Sequence, residues 1–323
     1  MPSVWDSLRK YLEADGAEFL WDLLRKDEPL CLHTTMKVGG PAEFFAEPED
    51  EESAVRLFAA AKKADIPCFL LGAGSNLIVS DEGIDGLVLS LRKLLGAPVL
   101  YEVGEEVHVG CSSGWMLADL AEWCAKNALS GLEFASGIPG TVGGAVLMNA
   151  GAYGPQISDV LKSVRSFHRE YGIRERELSS LGYGYRDSVF LREPGEMILA
   201  ATFVLHKGTE NAIRESMDEL NRKRRESQPL EWPSAGSMFK RPEGYFAGTL
   251  IQDTGLKGLS VGGAQVSPKH AGFIVNSGGA TAADIKNLVR KVQEAVREKH
   301  GVYLEPEPRF VGRSSVDTWD GGD

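Results

Sequence analysis

Cysteine is scarce in this chain: Cys31, Cys68, Cys111 and Cys124 are the only four in 323 residues, widely spaced and without a CxxC pair. That excludes the small disulfide-stapled secreted scaffolds, and the four thiols are expected to be reduced and structural, with no metal centre. No apolar run approaches the roughly 18 residues of a membrane span, stretches such as residues 68–71 being among the longest. The first ten residues carry Asp6, Arg9 and Lys10 and no unbroken apolar segment, so no signal peptide is expected. Basic residues are in deficit, 35 against 46 acidic ones, for a formal net charge of −11. Nucleic acid and anionic membranes are therefore poor partners. Internal repeats and low-complexity segments are missing as well. What remains, at 43% hydrophobic and 25% charged, is a chain long enough for two or three packed domains, expected to be cytoplasmic.

The periodicity alternates between strand and helix. Trp5, Leu8, Tyr11 and Leu12 share one face of an N-terminal helix, residues 51–64 read as a second helix, and residues 68–71 as a buried strand. Val107 and Val109 alternate with polar neighbours, after which Trp115, Leu117, Leu120, Ala121 and Cys124 line a helix starting near Ser113. Residues 210–227 read as a helix stopped by Pro229, with the basic run at residues 222–225 at its C-terminal end, where either a solvated face or a phosphate role is open. Thr281 with Asp284 predicts a capped helix carrying Ile285, Leu288, Val289, Val292 and Val296 and ended by Gly301; a strand is expected within residues 302–311.

Two glycine-rich segments stand out. Leu70-Leu71-Gly72-Ala73-Gly74-Ser75-Asn76-Leu77 runs from a strand into a loop of small residues, which suits either a tight turn or a close approach of backbone N–H groups to a pyrophosphate. The spacing is neither GxGxxG nor a P-loop. Residues 135–145, Ala-Ser-Gly-Ile-Pro-Gly-Thr-Val-Gly-Gly-Ala, continue to Met148-Asn149-Ala150-Gly151. Glycine at that density costs roughly 0.5–1 kcal/mol per position in a regular element, so an offsetting ligand is expected.

Together with Thr35-Met36-Lys37-Val38-Gly39-Gly40-Pro41-Ala42, these segments resemble the UDP-N-acetylenolpyruvoylglucosamine reductases, in motif order from Thr35 to Gly312. The first two thirds also resemble the wider vanillyl-alcohol oxidase (PCMH) type of FAD-binding proteins. The resemblance implies an α+β fold with an FAD-binding domain in two subdomains over residues 36–206, an α+β substrate domain over 207–312, an N-terminal helical segment over 1–35 and a flexible tail over 313–323. It implies noncovalent FAD, NADPH as electron donor, a UDP-sugar substrate and a place in peptidoglycan precursor synthesis, with no obligate protein partner. Gly72, Ala73, Gly74, Ser75, Asn76 and Leu77, with Ser136, Gly137, Ile138, Pro139, Gly140, Thr141, Gly143 and Gly144, would hold the pyrophosphate, and Asn149 would line the flavin.

Three further segments supply candidate catalytic residues by the same resemblance. Tyr183-Gly184-Tyr185-Arg186-Asp187-Ser188-Val189-Phe190 is similar to a YxYRxSxF motif, and Arg186 would grip the substrate carboxylate through two parallel hydrogen bonds as charge develops there. From the residues alone, a surface salt bridge with Asp187 is the competing reading. Ser234-Ala235-Gly236-Ser237-Met238-Phe239-Lys240 is similar to AGSxFK, which makes Ser237 the candidate proton donor, with Lys240 beside it; a loop serine bonded to backbone is the alternative. Leu304-Glu305-Pro306-Glu307-Pro308-Arg309 resembles LEPEVRFIG, with Glu307 as the candidate carboxyl, Glu305 its understudy and Pro308 standing where the family has valine. Tyr185, Lys240 and His270 are candidate substrate contacts. The tyrosine-bearing insertion of one branch is absent after Phe190. An oxidase passing electrons to O2 and a catalytically silent flavin or UDP-sugar binder are the rival readings.

Overall fold

The computed structural model describes residues 4–104 and 106–313. The chain divides into two compact units that interleave along the sequence. The first holds the residues up to Arg25, Phe45–Ala73 and Gly86–Lys223; the second holds Lys26–Phe44, Gly74–Asp85 and the residues from Arg224 onward. The sequence reading runs instead in contiguous stretches, 36–206 and 207–312. The difference arises because early segments are built into the C-terminal half: Met36, Val38 and Ile78 sit in one apolar core with the helix Ala282–His300.

In the first unit, the helix Val4–Ala14 buries Leu8 and Leu12 and leaves Tyr11 exposed. The helix Glu51–Lys63 begins where the Asp50 carboxylate accepts the Ser53 N–H at 2.8 Å, a bond that also holds that carboxyl below its usual range. The strand Cys68–Leu71 pairs in parallel with the later part of Ile84–Ser90. An antiparallel sheet then runs, in spatial order, Gly172–Glu177, Leu161–His168, Glu196–Lys207, Glu106–Ser112 and Val99–Val103. Its buried face packs on the helices Leu117–Lys126 and Val142–Met148 through a core that includes Val109, Leu120, Val146 and Phe203. Cys111 and Cys124 lie in that core, where burial pushes both thiols up to about 12, as suits reduced structural cysteines.

The helix expected from Ser113 starts only at Leu117. Residues 113–115 are committed to the glycine segment instead, the Ser113 carbonyl accepting from Gly143 N at 2.9 Å and the Trp115 carbonyl from Val142 N at 2.8 Å. Residues 193–195 alone join the helix Val189–Arg192 to the strand Glu196–Lys207, leaving no room there for an insertion.

The second unit has a four-stranded antiparallel sheet in the order Ser234–Ser237, Phe273–Asn276, Ala264–Val266, Ser260–Val261. The helix Ala282–His300 covers it. Its capping box forms as the sequence predicts, with Asp284 N donating to Thr281 Oγ1 and Thr281 N to the Asp284 carboxylate, each at 3.0 Å, and Gly301 closes it at φ 68°. Ile285, Leu288, Val289, Val292 and Val296 are fully buried, on the order of 10 kcal/mol of apolar burial at ~1.5–3 kcal/mol each. Asp81 adds a second cap from far away in sequence, accepting from Ala282 N at 2.8 Å and Ala283 N at 3.0 Å.

The strand expected within residues 302–311 is confined to Arg309–Val311, because Pro306 and Pro308 carry no N–H for a ladder. Those three residues pair in parallel with Leu77–Val79. Of the tail, residues 314–323 lie outside the described residues, while Arg313 donates its N–H to the Gly83 carbonyl at 2.9 Å and pairs its guanidinium with Asp85. The basic run ends the helix Glu210–Ser227, where Arg222 and Lys223 both pair with Glu219 on a solvated face.

Candidate active site

The first unit gathers the second glycine segment and the arginine motif. Thr141 caps the helix Val142–Met148 by accepting the Gly144 N–H at 3.2 Å. The amides of Val142, Gly143 and Gly144 are thus all used within the protein. What this segment still offers is side-chain oxygen: the buried hydroxyls of Ser136 and Ser113 have no hydrogen-bond partner. Such a hydroxyl costs about 1–3 kcal/mol unless something bonds it. The first glycine loop meets the same place, since a Cβ on Gly72 would lie 2.6 Å from Thr141 Oγ1.

Carbonyls at the C-terminal end of that short helix need partners, and the arginine motif provides them. Tyr183 donates its hydroxyl to the Val146 carbonyl at 2.9 Å, Ser188 donates to Leu147 at 2.7 Å, and Arg186 donates to Asn149 at 3.4 Å and Gly151 at 3.2 Å. Asn149 caps the helix in the left-handed region at φ 45°, fully buried, with its amide donating to the Gly184 carbonyl at 3.0 Å and its Oδ1 accepting from Ser158 N at 2.9 Å. Arg186 itself sits at φ 55°, a conformation rare for a side chain of that size. Backbone held there by its surroundings is a mark of functional positions. The competing reading of Arg186 as a partner of Asp187 loses ground, because the Asp187 carboxylate pairs with Arg192. Tyr185 is half exposed, its ring 5.0 Å from the Arg186 guanidinium.

The second unit holds the rest of the first glycine loop. Gly74 has φ +62°, and a Cβ there would fall 2.2 Å from the His33 carbonyl oxygen. The Gly74 carbonyl accepts from Thr35 N at 3.4 Å, and the Thr35 hydroxyl donates to the Ser234 carbonyl at 2.7 Å, so the loop is tied to the strand bearing Ser237. Among the described residues, no backbone acceptor pairs with the amides of Ala73, Gly74 or Ser75. Unpaired amides in a glycine loop are donors of the kind that fit a pyrophosphate such as that of FAD.

Ser237 is exposed at the end of its strand, and Glu307 is half-buried beside it. The Glu307 N–H donates to the Met238 carbonyl at 3.0 Å, the Lys240 N–H donates to the Glu305 carbonyl at 2.8 Å, and Phe239 bridges to Pro306. Lys240 pairs its ammonium with the Glu305 carboxylate. His270 packs edge-on to Phe273, its Nδ1 accepting from Gly272 N at 3.1 Å, so the neutral ring carries its proton on Nε2. Burial holds its pKa below the ordinary value.

Within one unit, then, Asn149 and Arg186 come together at the C-terminal end of the helix that Thr141 caps, and within the other Asn76 bonds Glu307 while backbone pairing joins the segments that bear Ser237, Lys240 and Glu307. Ser113, Thr35 and Asp81 were not singled out for their roles here. The small-residue triplet Ser112-Ser113-Gly114, where a Cβ on Gly114 would meet the Leu91 carbonyl at 2.3 Å, was a signal for the first. Nothing local in the sequence marks Asp81.

Comparison with known proteins establishes the family. A family model described as the UDP-N-acetylenolpyruvoylglucosamine reductase C-terminal domain matches residues 228–311, and an FAD binding domain model matches residues 42–170. The UDP-N-acetylenolpyruvoylglucosamine reductase of Agathobacter rectalis is 48% identical over 297 residues, covering 90% of this chain and 94% of its own. That of Clostridium novyi is 48% identical over 310 residues, covering 95% and 97%. The crystal structure of the Thermus caldophilus enzyme superposes with a TM-score of 0.74 at 36% identity, covering 89% of this chain and 97% of that one. With relatives this similar along almost the whole chain, the protein belongs to the UDP-N-acetylenolpyruvoylglucosamine reductase family.

Proposed function

We propose that this protein reduces UDP-N-acetylglucosamine enolpyruvate to UDP-N-acetylmuramate with electrons from NADPH, Arg186, Ser237 and Glu307 being its catalytic residues. FAD, when bound, supplies the hydride chemistry that connects the two substrates. The amides of residues 73–75 are groups suited to hold its pyrophosphate; in the first unit, taken by itself, the hydroxyls of Ser136 and Ser113 are further candidate donors and Asn149 the candidate residue at the flavin. The observation that carries the assignment is the backbone pairing of residues 238–240 with 305–307, which brings the segment that follows Ser237 against the one that bears Glu307.

Reduction of the alkene needs a hydride at one carbon and a proton at the other. Ser237 gives the proton, and Glu307 shares a proton with the substrate carboxylate as negative charge moves onto it. Arg186 holds that carboxylate, a charge-assisted pairing that strengthens as the charge grows. His270, neutral and donating from Nε2, is suited to a sugar or phosphate oxygen rather than to proton exchange. The cytoplasm is the compartment where the nucleotide substrate and NADPH coexist, and no helix among the described residues is long and apolar enough to cross a membrane.

An anaerobic titration tests this reading. NADPH should bleach the visible flavin band, and UDP-N-acetylglucosamine enolpyruvate alone should restore it. Ser237→Ala should leave bleaching intact and block the recovery; recovery at the wild-type rate in that variant refutes the role of Ser237, and recovery only in air favours an oxidase.

A further inference from the structure

The resemblance assigns Asn76 to the cofactor loop, and its side chain also meets the C-terminal segment. Its Nδ2 donates to the Glu307 carbonyl at 3.3 Å, and its own carbonyl accepts from Arg309 N at 2.9 Å. Asn76 therefore holds the chain on both sides of Pro308. We propose that Asn76 is a positioning residue for Glu307, tying the glycine loop to the carboxyl through the Glu307 peptide; this rests on the catalytic reading of Glu307 given above.

Leu77–Val79 pairs in parallel with Arg309–Val311, a register that begins at Arg309 and does not reach Glu307. The Asn76 amide supplies the next bond from a side chain instead of from backbone. On its other edge, the Glu307 peptide is pinned by its N–H donating to the Met238 carbonyl at 3.0 Å. A residue preceding proline is also restricted to extended conformations. With its N–H, its carbonyl and its backbone conformation all constrained, Glu307 has its Cα direction set by Met238, Asn76 and Pro308 together.

The experiment uses the full-length holoenzyme with Asn76→Ala and, to keep the side-chain shape while removing the donor, Asn76→Leu. Each half-reaction is followed anaerobically by stopped flow, alone and in a Glu307→Gln background. A misplacement of the carboxyl by about 1 Å is worth up to about 100-fold in rate. Both variants are therefore expected to slow substrate-driven flavin recovery about 10- to 100-fold more than NADPH-driven bleaching. In the Glu307→Gln background the further loss should shrink to less than about 3-fold, because the two substitutions act on one group. Amide hydrogen exchange in a peptide covering residues 304–311 should rise in both variants, a readout independent of turnover. Equal slowing of both half-reactions, loss of flavin from both variants, or full additivity with Glu307→Gln overturns the positioning role. If Glu307→Gln alone leaves flavin recovery at the wild-type rate, the catalytic reading of Glu307 falls, and this role falls with it.

Discussion

Gly74→Ala isolates what the first glycine loop requires, provided it is measured beside Gly301→Ala. Both glycines lie in the left-handed region, at φ +62° and +68°, and both belong to the second unit. The alanine penalty for that conformation is about 1 kcal/mol in each. At Gly301 a Cβ meets nothing within 4 Å, so that penalty is the whole effect. At Gly74 the Cβ would sit 2.2 Å from the His33 carbonyl oxygen and 2.9 Å from the Thr34 Cα, where ordinary contact begins at 3.4 Å. Both obstacles are backbone, so no rotamer change relieves them, and the loop has to retreat by more than an ångström. Overpacking of that kind adds about 1–3 kcal/mol. Gly74→Ala is expected to destabilise by about 2–4 kcal/mol in urea unfolding of the apoprotein. FAD affinity should fall at least about tenfold as the amides of residues 73–75 are displaced, each charge-assisted bond being worth ~1.5–3 kcal/mol. Gly301→Ala should lose about 1 kcal/mol and keep its FAD affinity. Matching stabilities and matching FAD affinities in the two variants would refute the close approach as the reason for glycine at position 74.

Ser136→Ala removes a buried hydroxyl without a partner, so the apoprotein should lose no stability while FAD binding weakens about 10-fold or more; an unchanged FAD dissociation constant by fluorescence titration excludes Ser136 from the cofactor site. Arg186→Lys replaces a fork with a point charge and cannot serve the Asn149 and Gly151 carbonyls and a carboxylate in the same way, so substrate-driven flavin recovery should drop at least about 100-fold, with near-normal recovery counting against the carboxylate role. Burial lowers the pKa of His270 in the folded chain below its unfolded value of about 6.5, so its contribution is present above that pH and is lost as pH falls through the folded pKa. Urea midpoints followed from pH 8 to pH 5 should therefore decline less steeply in His270→Gln than in the wild type, and parallel curves would remove His270 from the acid response.

The helices were legible in the sequence because their signals are local. Thr281, Asp284 and Gly301 are a capping box and a left-handed stop within one segment, and Pro229 ends the helix Glu210–Ser227 close to where the periodicity runs out. The α+β class could be read from motif order, which also marks the candidate catalytic segments. Less visible was anything carried by a bond between distant positions. Asp81 caps a helix 201 residues further on, and Asn76 reaches Glu307 across 231. A contiguous domain division misses such pairs, since strand pairing and shared cores assign residues 26–44 and 74–85 to the C-terminal unit. The use of the Val142, Gly143 and Gly144 amides within the fold was also hidden, because glycine density advertises close approach without saying whether a ligand or another backbone approaches.

The parallel pairing of Leu77–Val79 with Arg309–Val311 sets an order of events during synthesis. Translation at about 5–20 residues per second leaves the first of these strands waiting roughly ten to fifty seconds for its partner to be made. Through that interval Ile78 lacks the helix Ala282–His300 over it, and the glycine loop has one end anchored to segments not yet translated. The first unit, whose last residue is Lys223, can fold while the ribosome is still working; the second cannot close until its final strand emerges. Closure of the second unit is therefore a late event, and a nascent chain arrested before residue 309 should present a folded first half with an unpaired apolar strand, the form on which chaperones act.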